Sequence, residues 1–184
     1  MKQFLLAAVL SSAAMIISST PALAFAVEPA DTICPIEVIG EAELNNWASS
    51  LIESRGEMSD AQTNALGAAV ATCAEKLSWN ENDIESAVEF NLSIIAGTAI
   101  GDKLTADGID AVGYEVVLEN RSAEELQQLL NDPDNSPALK DLTDRLVADF
   151  GEELTDDITA DVATYIAFMA QSQFSAMKMM GLAE

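Results

Sequence analysis

Apolar and polar positions alternate with a helical period over almost the whole of this chain. Leu44, Trp47, Ala48, Leu51 and Ile52 step by three and four, which predicts a helix with one buried face that stops near Gly56. Ser59, with Gln62 three residues on, makes a capping box for a second helix, and Leu66, Val70, Cys73 and Leu77 share one stripe of it. Asn80 caps a third helix, whose expected buried stripe is Ile84, Val88, Leu92, Ile95 and Ala99. No charge interrupts Phe90 to Gly101, so this helix is predicted to be central. Its Gly97-Thr98-Ala99-Ile100-Gly101 segment predicts close approach by another helix rather than membrane dimerisation.

Asp107-Gly108 reads as a turn, followed by Ile109, Val112, Val116 and Asn120 at helical steps. The β-branched content of residues 114–118 leaves a short strand open there as an alternative to helix. Ser122 and Glu125 form a second capping box ahead of Leu126, Leu129 and Leu130. Residues 131–135 read as a linker, and Ser136-Pro137 restarts a helix with Leu139, Leu142, Leu146 and Phe150 inward until Gly151. Thr155 opens the last helix, with Asp156 and Asp157 placed favourably against its N-terminal dipole. Ile158, Val162, Tyr165 and Met169 carry its stripe towards Gly181. The expected fold is all-α: one domain over residues 27–184, an irregular bundle of about seven helices around residues 81–101 and 156–180. Residues 27–40 are expected to be an irregular lead-in.

The first 26 residues follow a different pattern. Lys2 gives a basic start, Phe4 to Ile17 is apolar, and Pro21 precedes two overlapping small-x-small sites that end at Ala24 and Ala26. This is the layout of a secretory signal peptide, cleaved after Ala24 or Ala26, and it predicts a periplasmic or secreted protein. The longest later charge-free run, Val162 to Met177, has 16 residues and several polar side chains, too short and too polar for a hydrocarbon core of about 30 Å. No membrane insertion is expected after cleavage. Cys34 follows Asp31-Thr32-Ile33, which is unlike a lipoprotein processing site.

An oxidising compartment gives the two cysteines a role. Cys34 and Cys73 are far apart in sequence and lack the Cys-x-x-Cys spacing of a redox pair, so a structural disulfide is predicted. It would pin the lead-in across the stripe of the second helix.

Charge narrows the partners. The whole chain carries 8 Lys+Arg against 31 Asp+Glu; losing Lys2 with the signal segment leaves a formal charge of −24. Such a surface repels phosphate backbones and anionic headgroups, which argues against nucleic acid and electrostatic membrane docking. It admits a cationic protein partner. There is no histidine, so imidazole-dependent nucleophile systems, His-containing zinc sites and His-ligated haem are excluded.

The remaining motifs carry little chemistry. Ser175-Ala176-Met177-Lys178 has a Ser-x-x-Lys spacing, but too little chain follows it to supply the further motifs such a catalyst needs. Asp132-Pro133-Asp134-Asn135-Ser136 groups oxygen ligands without the glycine and glutamate of a calcium loop, and predicts capping instead. Glu152, Glu153, Asp156, Asp157 and Asp161 form the densest acidic patch, expected to be a solvated face and a candidate interaction patch. Met169, Met177, Met179 and Met180 are expected to fill core and chain end rather than form a docking surface. No residue is assigned to catalysis, to a metal or to a cofactor. The expected role is non-catalytic binding of a basic protein, as an inhibitor, immunity or adaptor protein. A small-ligand carrier and a carboxylate-only hydrolase are the alternatives. A carrier would need empty space beside Gly97 and Gly101, and a hydrolase a concave pocket beside the acidic patch.

Overall fold

The computed structural model describes residue 27 and residues 29–183; the signal-peptide reading of residues 1–26 lies outside the described residues. Every regular element among them is helical: α1 (Cys34–Ile39), α2 (Glu41–Glu53), α3 (Asp60–Leu77), α4 (Glu81–Ala106), α5 (Ala111–Tyr114), α6 (Ala123–Asn131), α7 (Pro137–Phe150) and α8 (Asp156–Met179). Short 3-10 turns occupy Pro29–Ile33, Glu115–Leu118, Pro133–Asn135 and Gly151–Glu153. The protein is therefore all-α, and one apolar cluster running from Val27 to Met179 forms its core.

The caps written in the sequence set the helix starts. Ser59 and Ser122 each close a capping box, with Gln62 and Glu125, and Asn80 closes a third with Asp83. Each box satisfies backbone donors that the first helical turn leaves without partners. Ser136 accepts from Ala138 N, and Thr155 from Ile158 N.

Two regions differ from expectation. The lead-in is ordered by helix: the 3-10 turn and α1 together occupy residues 29–39, with Pro35 at the second position of α1. Proline is compatible with a first turn, since its missing N–H would have had no intrahelical acceptor there. Residues 114–118 are helical, the end of α5 and a 3-10 turn, and not a strand. Tyr114, Val117 and Leu118 are buried there, so burial on one side outweighs the strand preference of the valines.

α4 and α8 are the central pair. Residues 89, 97, 101 and 103 of α4 meet residues 171 and 175, 169, 165 and 161 of α8 in reverse order, so the two run antiparallel. α2 and α3 pack on α4, α6 packs on α8, and α7 leans on the Glu115–Leu118 turn and on α8. Surrounded in this way, α4 buries more than the predicted stripe. Ile84, Val88 and Leu92 are only half-buried, while Ala87, Asn91 and Ala96 are among its deepest residues. Asn91 donates from Nδ2 to the carbonyls of Thr32 (3.0 Å) and Ala87 (2.8 Å), fastening the N-terminal turn to α4.

The predicted disulfide is present. Cys34 at the start of α1 is bonded to Cys73 on α3, with a Cα–Cα distance of 6.1 Å, and both residues are buried. Among the described residues no helix is long and apolar enough to cross a membrane.

Candidate functional site

The space between the central helices is filled. A Cβ on Gly97 would stand 3.3 Å from Met169 Sδ and from Phe168 Cβ, and one on Gly101 would stand 2.9 Å from Tyr165 Cε2. The two glycines serve close helix packing, and the room a carrier would need beside them is taken by side chains of α8.

A concave site does exist next to the acidic patch, where the end of α4 meets the start of α8. It has a volume of about 310 Å³. Leu104 from α4, Ile109 after the turn, Phe150 closing α7 and Ile158 in the first turn of α8 supply its apolar lining. The chain brings these together because Asp107-Gly108 and Gly151 turn it sharply after α4 and α7; both glycines have positive φ, +83° and +52°.

Ionic side chains ring this cleft. Lys103 Nζ lies 2.9 Å from Asp107 Oδ2, one helical turn ahead, and 2.8 Å from Asp161 Oδ2 on the facing helix. Its hydrogen bonds to Asp161 and then Asp107 hold the ammonium above the ordinary lysine pKa. Arg55, at the corner after α2, reaches over to the same helix, with Nε 3.7 Å from Asp161 Oδ1 and Nη2 3.4 Å from Asp157 Oδ1. The five patch carboxylates therefore divide. The Asp161 side chain is 14% exposed with a cation on each oxygen, whereas that of Asp157 is 90% exposed with one long contact. Glu152, Glu153 and Asp156 are exposed, and no ion pair among the described residues involves them.

This arrangement suits attraction better than acid–base work. With both oxygens of Asp161 on cations, neither is free to deliver a proton, and Asp157 stands in open solvent.

A second polar cluster escaped the sequence reading. The Tyr165 hydroxyl donates to Glu115 Oε1 across 50 residues of sequence, and Tyr114 donates to Asp149 Oδ2 at 2.8 Å. Burial pushes the Glu115 carboxyl above the usual range, and burial with the neighbouring carboxylate pushes Tyr165 up as well. Tyr114 is raised to about 12 by burial and by its bond to Asp149, with the Arg145 guanidinium 5.9 Å from its ring. Adjacent aromatic and acidic residues at 114–115 were the available signal, but their partners lie on α7 and α8 and no local spacing reveals them.

The other singled-out motifs are structural. Ser175 is fully buried; its hydroxyl lies 3.1 Å from Glu89 Oε2 and accepts from Gln171 Nε2 at 2.9 Å, while Lys178 lies over the Phe174 ring. Both oxygens of Asp132 accept from Asn135 Nδ2, at 3.0 and 2.9 Å. Met169, Met179 and Met180 are buried, with Met177 half-buried. Among the described residues no group of three or more acidic or cysteine side chains could hold a metal ion. The chain matches no family model, no curated protein and no solved structure.

Proposed function

We propose that this is an exported, non-catalytic binding protein that docks a basic protein partner on the acidic surface around the start of α8. The observation that supports the reading most is the way charge is distributed. Arg55, Lys103, Arg121 and Lys140 are held in ion pairs with the chain's own acids, and Arg145 and Lys178 lie over aromatic rings. Glu152, Glu153 and Asp156 are left facing solvent in no ion pair among the described residues, and Asp157, which meets Arg55 only at 3.4 Å and is 90% exposed, lines a cleft beside them. Unspent negative charge next to a concave apolar surface steers a cationic protein and gives it somewhere to settle. An inhibitor, immunity or adaptor role would use such a surface. The buried disulfide accords with export to the periplasm or beyond. A small-ligand carrier and a carboxylate-only hydrolase draw less support, since the central helices are closely packed and Asp161 is occupied by cations.

The test is affinity capture from periplasmic extract at low and high salt, with the wild-type protein and a Glu152→Gln/Glu153→Gln/Asp156→Asn/Asp157→Asn variant side by side. A basic protein retained by the wild type at low salt, and lost both at high salt and with the variant, is the expected result. Identical retention by the two proteins would refute the assignment to this surface.

A further inference from the structure

We propose that the cleft at the junction of α4 and α8 is the anchor pocket for one lysine or arginine side chain of the basic partner. This rests on the function proposed above and adds to it the place and the chemistry of the contact. Carboxylates alone would not mark such a place, because acids are spread over the whole chain. The cleft marks it through its mixed lining: Leu104, Ile109, Phe150 and Ile158 are apolar, and Lys103, Asp107, Asp157 and Asp161 are charged. A lysine or arginine side chain is divided in the same way, a methylene stem carrying a charged head, and it gains most where stem and head each find their own surface.

The charge at the edge is out of balance by one unit. Asp107, Asp157 and Asp161 stand with Lys103 and Arg55. Asp161 is saturated, Asp107 holds Lys103 at 2.9 Å, and Asp157 meets Arg55 only at 3.4 Å and is the most exposed of the three, so Asp157 is the carboxylate with most to offer an incoming cation. A neutral occupant would leave the excess charge uncompensated, and an anion would have to draw Lys103 away from two carboxylates.

The experiment is an NMR titration at low salt that follows the isoleucine and leucine methyls together with the backbone amides. The probe is a capped pentapeptide with one arginine between glycines, run against the same peptide with citrulline in place of arginine and against free arginine amide. The expected result is saturable movement of the Ile109, Ile158 and Leu104 methyls with the arginine peptide. Citrulline should weaken binding about fivefold through loss of the charge-assisted bond. Asp157→Asn should weaken it about threefold, in keeping with an exposed pair. Shifts confined to the surface around Glu152, Glu153 and Asp156 would overturn the pocket assignment and leave the docking surface standing. Tighter binding of free arginine amide than of the peptide would also overturn it, in favour of a small-cation site. No response from any methyl or surface signal would overturn it too, and the capture experiment then judges the broader function separately.

Discussion

Gly56 shows at the scale of one residue how the fold depends on what is absent. Its φ is +93°, and a Cβ there would stand 2.4 Å from the Phe168 ring. An alanine would meet both left-handed backbone strain and a clash with α8. Gly56→Ala should therefore lose about 2 kcal/mol in urea unfolding. Gly67 is the contrast: it lies within α3, is exposed, and a Cβ there would meet nothing within 4 Å. Gly67→Ala should gain roughly 0.5–1 kcal/mol in the same assay. An unchanged stability for Gly56→Ala would mean that the corner after α2 does not pack on α8 as described, and a loss for Gly67→Ala would mean that the outer face of α3 is covered. Glu115 gives a prediction in pH. Its carboxyl is raised in the folded state, chiefly by burial, so folding favours the protonated form. The unfolded chain holds fewer protons between the ordinary glutamate value and the raised one, and stability from this group falls as pH rises through that window. Glu115→Gln, which keeps an acceptor for Tyr165, should be more stable than the wild type at pH 7, and the gap should close as pH falls towards 4.5. A constant gap across pH would contradict the burial of that carboxyl. Subtracting one protein from the other removes the general relief of repulsion on acidification, which both share.

Elements are where the sequence was most legible, and the reason is local. Ser59 with Gln62, Ser122 with Glu125, and Ser136 before Pro137 act within a single turn of helix, and each starts a helix where its spacing predicts. The 3.6-residue period of Leu142 and Leu146, or of Val162 and Tyr165, finds the buried side of a helix packed on one face. It holds only in part on α4, where Ile95 and Ala99 are buried but Ile84, Val88 and Leu92 only half so; this helix is covered from several sides, and small residues such as Ala87 and Ala96 go deepest. It also missed α1, whose six residues are too few to show a period and whose proline reads as a breaker. The cleft was not legible at all, because Lys103, Phe150 and Asp161 meet only once α4, α7 and α8 are assembled. The disulfide belongs to this scale because it ties one element to another. It joins α1 to α3 across a sequence separation of 39, and closing a loop of that size stabilises a fold by roughly 4 kcal/mol on entropy grounds. Reductant should lower the melting temperature markedly, and Cys73→Ser should reproduce the loss without reductant. A melting curve indifferent to both would show that α1 is held by packing alone.

Across the whole molecule the dominant quantity is charge. An excess this large raises the energy of the compact state through self-repulsion, and added salt screens it. The melting temperature of the protein should rise as sodium chloride goes from about 10 mM to about 300 mM. A fall would mean that the ion pairs around Lys103 and Arg121 outweigh the general repulsion. The same excess is what makes binding of a basic partner the central claim, and here salt must act in the opposite direction. Folding is opposed by repulsion that salt relieves, whereas association would be driven by attraction that salt weakens. The most direct measurement is a calorimetric titration of the captured partner into the wild-type protein and into the Glu152→Gln/Glu153→Gln/Asp156→Asn/Asp157→Asn variant, each over a range of salt concentrations. The wild-type affinity should fall steadily with salt, and the variant should bind more weakly with a shallower dependence. Equal affinities, or a wild-type affinity that salt leaves unchanged, would contradict the account.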